Sequence, residues 1–250
     1  MFCKINYRKT FLIFVNIMFY TNGVDMENLK IDLVYCWCDI KDKNFRETKN
    51  KLANELNIEP DSNNFCRFID NSELKYSLRS VEKNIPWINK IYIVTNQQIP
   101  NWLNTNHKKI KIIDHTLIIP EHARPNFNSN AIEHCIVNIP NLSEFFLYAN
   151  DDCFFLKEVS PQFFFDKDNY PICRYEIKLI THIGKSTYAH SLLNAKDLIK
   201  KEYRKDYKRI PHHNTDAYRK SDIIDCYNKY KEAAMFMLQP EDFESINVSK

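Results

Sequence analysis

Phe145-Phe146-Leu147-Tyr148-Ala149-Asn150-Asp151-Asp152 passes within eight residues from apolar and aromatic side chains to an amide and two adjacent carboxylates. A short apolar run that ends this abruptly reads as a strand buried on both faces, here Phe145–Tyr148. Working outward, three other runs have the same form. Ile31–Trp37 (IDLVYCW) ends in Cys38-Asp39, Lys90–Thr95 (KIYIVT) ends at Asn96, and Ile110–Ile113 follows a loop over Gln97–Leu103 that contains a proline. Helical patterns lie between them. Residues 41–62 hold helix formers up to Pro60. Leu74, Leu78, Val81 and Ile85 recur at spacings of 4, 3 and 4, one helix face, and Pro86 closes it. Asp70 with Glu73 three residues later resembles a capping box at its start. Ser129 or Asn128 caps a further helix carrying Ile132, Cys135, Ile136 and Ile139, which Pro140 stops. Strands alternating with helices predict an α/β fold with a mainly parallel sheet. Ligands bind at the carboxyl ends of such strands, where Asp39, Asn96 and Asn150–Asp152 all fall.

Composition narrows the function. A chain of 250 residues that is 44% apolar and 14% aromatic can bury a core as one domain, or one with an appendage. Its two glycines, Gly23 and Gly184, are too few for a Walker loop, a GxGxxG fingerprint or a GxSxG nucleophile elbow. A net charge of +3 is too small for bulk nucleic-acid binding, and no nucleic acid is expected as a partner. Residues 196–231 nevertheless hold 11 Lys/Arg against 6 Asp/Glu, which suits an anionic substrate and equally a solvated helix face. The eight cysteines form no CxxC pair. They read as small buried hydrophobes in a reducing compartment, hence a cytoplasmic protein.

The expected organisation has three parts. Residues 1–25 carry Lys4, Arg8 and Lys9 before the apolar run Phe11–Tyr20, which is too short to span a bilayer. They read as an over-extended start or a weak membrane-associating segment, which leaves peripheral association with the inner face of a membrane open. Residues 26–160 form the α/β core. Residues 161–250 are expected to be mostly helical, with a basic helix over Leu192–Tyr207, a loop over Arg209–Asn214 and a final helix over Ser221–Ala234.

The residues suggest a chemistry. Adjacent carboxylates at a strand end, Asp151 and Asp152, suit Mg²⁺ or Mn²⁺ bridging a diphosphate, because hard cations take oxygen ligands and leave positions for phosphate and water. The alternative is a pair that merely caps the next turn. His212 and His213, after Pro211, offer imidazoles that titrate near neutrality, as a general base or as surface groups. Arg67 and Arg79, around the start of the first helix, suit phosphate recognition or surface pairing.

Residues 67–103, RFIDNSELKYSLRSVEKNIPWINKIYIVTNQQIPNWL, resemble the second conserved region of the Stealth family. The likeness continues through Phe127-Asn128-Ser129, Ala131-Ile132-Glu133, Ile139–Glu144 and Phe146–Asp152. Residues 31–39 (IDLVYCWCD) resemble the first region, with Ile40 where a glycine is usual, and 209–221 (RIPHHNTDAYRKS) resemble the third. The family comprises sugar-phosphate transferases, among them bacterial capsular polysaccharide phosphotransferases and the animal lysosomal-enzyme N-acetylglucosamine phosphotransferase. The resemblance implies a Rossmann-like nucleotide-sugar transferase with a helical C-terminal part. It implies transfer of a hexose 1-phosphate, for example N-acetylglucosamine 1-phosphate, from a UDP-sugar to a polysaccharide or other glycan hydroxyl, releasing UMP. Asp151 and Asp152 would hold Mg²⁺ or Mn²⁺ and His212 would act as base, with His213 in reserve. Asp32, Trp37, Asp39, Arg67, Asp70, Asn71, Arg79, Asn96, Ser129, Asn150 and Arg209 would border the substrate. No arginine follows Arg219, so the family's fourth region is not evident. That leaves open a catalytically inactive nucleotide-sugar-binding relic, and strand-end carboxylates would look the same in a conventional glycosyltransferase that releases UDP.

Overall fold

A computed structural model describes residues 29–58, 63–179, 187–212 and 214–230. The expectations for residues 1–25 and for His213 lie outside these described residues. The central sheet contains β1 (Ile31–Cys36), β2 (Ile91–Thr95), β3 (Ile110–Asp114) and β4 (Phe145–Asn150), all parallel, and β7 (Asp216–Arg219), antiparallel to β4. Their order across the sheet is β3-β2-β1-β4-β7. Helices α1 (Lys43–Glu55), α2 (Glu73–Asn84), α3 (His115–Ile118) and α4 (Ser129–Cys135) connect the first four strands. This is the Rossmann-like α/β arrangement expected. The C-terminal part supplies helices α5 (Thr187–Tyr203) and α6 (Lys220–Lys229), but also β7 and a separate antiparallel pair, β5 (Tyr175–Leu179) with β6 (Arg209–Pro211).

Both faces of the sheet are covered, which is why β1 and β2 read as continuous apolar runs. Val34, Tyr92, Val94, Phe146 and Tyr148 pack on one side against Ile132 and Ile136, with Ile199 of α5 and Ile223 of α6. Leu33, Tyr35, Ile93, Leu147 and Ala149 alternate to the other side, against Leu74, Val81 and Ile85 of α2 with Phe164 and Phe165. The period of two along each strand thus separates two cores.

Several boundaries differ from expectation. Asp70 does not cap α2. Ser72 holds the N-cap position in a left-handed conformation (φ 75°) with no side-chain cap, while Glu73 Oε2 accepts the Asn71 N–H at 2.5 Å. Residues 209–211 are a strand rather than a loop, because Ile210 is buried against Leu192 and the proline falls at the strand's last position, where no ladder donor is lost. Helix α5 starts earlier than expected and stops at Tyr203, since Arg204 turns left-handed (φ 54°) and donates its N–H to the Lys200 carbonyl. The short strand β7 goes unread in the sequence.

Candidate active site

The chain leaves β1 toward β2 on one side and returns to β4 on the other. Cys36 and Asn150 are register partners at the last rung between β1 and β4. Parallel strands whose connections diverge in this way open a crevice beyond their carboxyl ends, the usual ligand site of open α/β sheets. A cleft of about 360 Å³ lies there, within the range of small-molecule sites. Trp37 extends β1 into it, Asn150–Asp152 extend β4, and α4 contributes Ser129 at its first turn. Arg67 and Glu73 line it from the segment that leads into α2. Phe45, Phe68 and Phe127 form an aromatic wall in edge and tilted contacts, with ring centroids 5.3 and 6.3 Å from Phe45.

Helix α2 fixes the chain that follows Asp152. Ser77 Oγ meets Tyr35 Oη at 2.7 Å and donates to the Cys153 carbonyl at 2.5 Å. Ser80 Oγ accepts the Phe155 N–H at 2.9 Å, the Asn84 amide donates to the Phe155 carbonyl, and Trp87 Nε1 donates to Val159 O at 2.7 Å. Polar residues on the buried side of α2, with Trp87 just beyond it, thus hold the acidic turn and the chain after it in place.

Burial pushes the Asp151 carboxyl up to about 6, and the charges of Asp152, Glu73 and Asp70 push the same way. Asp70 is itself buried, with Oδ1 lacking a hydrogen-bond partner. Burial also works to raise Glu73. Backbone N–H groups of Glu73 and Asn71, the Asn71 amide and the Lys41 charge outweigh it and hold that carboxyl below its ordinary value. Burial drives the His115 imidazole down to about 4 against the pull of Asp114, so it is neutral at physiological pH. Burial raises the Cys36 thiol and the Tyr148 phenol strongly, which leaves both protonated and argues against a thiolate nucleophile here.

A divalent cation fits this chemistry. Among the described residues no three His, Cys, Asp or Glu side chains gather as a metal-holding group. The carboxylates that couple to Asp151 therefore add negative potential rather than a closed cage. Two adjacent carboxylates with the remaining positions left to phosphate and water is the form in which Mg²⁺ is commonly held.

Of the residues expected to act together, Trp37, Arg67, Ser129, Asn150, Asp151 and Asp152 line this cleft. Asp39 stands at the rim as a brace. Its backbone exchanges hydrogen bonds with Gln98 at 3.1 and 2.8 Å, and its Oδ1 accepts the Lys41 N–H at 3.0 Å. Asn71 is exposed beside Glu73. His212 is exposed and is not among the residues lining the cleft; it donates its N–H to the Arg174 carbonyl and meets Asn214 Nδ2 through Nδ1 at 3.3 Å. Because β7 runs antiparallel to β4, with Tyr148 opposite Asp216, the segment entering β7 passes the same carboxyl rim.

Four expectations are corrected. Asp32 is fully buried at the opposite end of β1, where Oδ1 accepts from Asn89 Nδ2 (2.8 Å) and the Lys90 N–H (3.1 Å) and Oδ2 from the Ser143 N–H (2.7 Å). It ties loops together, away from the cleft. Arg79 faces a different groove, because its position on α2 turns it away from the acidic turn. Asn96 lines an adjoining hollow with Arg124, sharing only Phe45, His115 and Asn126 with the cleft. Arg209 is exposed on β6 rather than in the cleft lining. Sequence reasoning missed Glu73, taken as a cap, and the aromatic wall and His115, whose members are scattered over the first turn of α1, the short α3 and the segments before α2 and α4. It also passed over Glu133, whose Oε1 accepts the Tyr148 hydroxyl at 2.8 Å beneath the cleft.

Fold and cleft together define a Rossmann-like α/β protein of the nucleotide-sugar transferase architecture. Residues 67–173 match Stealth protein CR2, conserved region 2. The chain belongs to the Stealth family. It is 40% identical over 182 residues to capsular polysaccharide phosphotransferase fcs1 of Haemophilus influenzae, covering 70% of this chain and 50% of that protein. It is 34% identical over 209 residues to capsular polysaccharide phosphotransferase SacB of Neisseria meningitidis serogroup A, covering 82% and 38%. Exopolysaccharide phosphotransferase cps2G of Lactiplantibacillus plantarum is 43% identical over 141 residues, covering 56% and 41%. The chain thus spans half or less of the length of these relatives.

Proposed function

We propose that this chain transfers a hexose 1-phosphate from a UDP-sugar to a hydroxyl of a polysaccharide or other glycan acceptor, in capsular or cell-surface polysaccharide synthesis. The observation that carries this reading is the meeting of Asp151 and Asp152 with Trp37 and Arg67 in one cleft at the switch point of the sheet. The relatives, named as capsular and exopolysaccharide phosphotransferases, point the same way.

The acceptor oxygen attacks the β-phosphorus, the bond from that phosphorus to the bridging oxygen breaks, and UMP leaves with the bonding pair. Phosphoryl transfer of this kind depends mainly on positioning and charge stabilisation. Asp151 and Asp152 would hold Mg²⁺ or Mn²⁺, which when bound offsets charge on the diphosphate. Arg67 neutralises phosphate oxygens with a fork of N–H donors. Trp37 and the phenylalanine wall offer flat apolar surface to the nucleoside or sugar. His212 takes the proton from the acceptor hydroxyl.

Incubation with UDP-sugars and a glycan acceptor, followed by analysis of the released nucleotide, tests the reading. UMP with a phosphodiester-linked product is expected. UDP would instead show ordinary glycosyl transfer, and binding without turnover on any acceptor would show a relic.

A further inference from the structure

On the far side of α2 from the acidic turn lies a second groove, of about 460 Å³. Its floor is aliphatic and aromatic: half-buried Leu78, Trp102 and Leu103 over the buried Val81, Ile85 and Ile88. Its rim is basic, with Lys75, Arg79, Lys108 and Lys109 against the single carboxylate Glu82. Among the described residues no ion pair neutralises these four cations. Lys109 Nζ donates to the carbonyls of Pro86 and Ile88 at 2.7 and 2.6 Å, which fixes one charge at the groove's mouth. Burial lowers its ammonium pKa, and the neighbouring charges of Lys108 and Lys90 lower it further, the mark of positive potential without counter-charge.

The groove reaches Ile91 and Ile110, the first residues of β2 and β3, so it opens at the amino end of the sheet. A five-residue strand separates it by about 16 Å from the rim that holds the cleft. Whatever fills it is therefore not the reacting part of the donor. The floor offers almost no hydrogen-bonding groups, which a saccharide would need along its length, whereas a hydrocarbon needs none. We infer that this groove takes the aliphatic chain of an anionic membrane lipid, with the lipid phosphate on Lys75, Arg79 and Lys108, and so seats the protein on an anionic membrane surface.

The test uses the full chain and decyl phosphate brominated along its tail, kept below its micelle concentration. Bromine quenches a tryptophan that it touches, and Trp102 is the tryptophan in the groove. Saturable quenching is expected, lost in Trp102→Phe and weakened about tenfold or more in Lys75→Glu/Lys108→Glu and at high salt. The wild-type chain should also sediment with vesicles of phosphatidylglycerol and phosphatidylcholine but not with phosphatidylcholine alone. Equal affinity for brominated decyl glucoside, unchanged binding by the charge-reversed variant, or no sedimentation with the anionic vesicles would overturn the inference. Quenching that disappears as the chain self-associates would assign the groove to a second copy instead.

Discussion

Asp151 keeps its proton, in the native fold, into a pH range where the unfolded chain has released it. Its carboxyl is pushed up to about 6 by burial and by the charges of Asp152, Glu73 and Asp70. Between about pH 4 and pH 6 the native state therefore binds a proton that the unfolded state lacks, and stability contributed by this group falls as pH rises through that window. Asp151→Asn should raise the urea midpoint of metal-free protein at pH 7.5, by about 1–2 kcal/mol in stability, with the gap closing toward pH 4. A gap that stays constant with pH would separate Asp151 from this electrostatic picture. His212 makes a kinetic prediction. If its imidazole accepts the hydroxyl proton, His212→Ala lowers kcat by about 10²–10⁴. A change confined to KM would mark a binding role. Asp32 makes the opposite one. Removing a buried carboxylate that serves three donors, as in Asp32→Ala, should cost about 3 kcal/mol in a urea denaturation series, because those donors lose their partner. The affinity of the folded fraction for UDP should not change.

Helix α2 and strand β7 do at the scale of elements what no single residue does. Helix α2 and its cap present Leu74, Val81 and Ile85 to the core and, from an adjacent face, Ser77, Ser80 and Asn84 to the backbone after Asp152. Strand β7 sets Asp216 opposite Tyr148 near the carboxyl end of β4, and the buried pair Arg219–Asp222 (2.6 Å) ties it to α6, with Tyr170 under the guanidinium at 4.5 Å. Asp222→Ala leaves that guanidinium short of its carboxylate. It should destabilise the fold by about 3–5 kcal/mol, read as a lowered midpoint. These elements were unequally legible in the sequence. Strands β1, β2 and β4 announce themselves because they are buried on both faces, and α2 because four apolar residues keep helical spacing. Strand β7 (Asp216–Arg219) does not, because it is four residues long, begins with a charge and ends with one whose burial depends on partners outside the strand, Asp222 and Tyr170. Asp70 and Glu73 have the spacing of a capping box, but the left-handed turn at Ser72 redirects Glu73 into the cleft.

The whole molecule places two surfaces at opposite ends of one sheet. Strand order β3-β2-β1-β4 sets the carboxylate cleft at the carboxyl ends, and the basic groove beside α2 opens at the amino ends. Among the described residues no helix is long and apolar enough to cross a membrane. Apolar strands with polar ends were enough to foresee the acidic rim, whereas Trp37 and Arg67 were expected there only from the family resemblance. Arg79 was misplaced because the sequence does not show which way a helix turns its polar side, and Asp32 because the family resemblance was followed although the residue stands at the amino end of its strand, away from the carboxyl ends where ligands bind. The central claim is that Asp151 and Asp152 bind a nucleoside diphosphate through a divalent cation at the β1–β4 switch point. Calorimetric titration of UDP into the chain, with Mg²⁺ and then with chelator, measures it directly. Binding that requires the cation and weakens at least about tenfold, roughly 1.4 kcal/mol, in Asp151→Asn/Asp152→Asn is the expected result. Equal affinity with chelator present and in the double variant would contradict the claim.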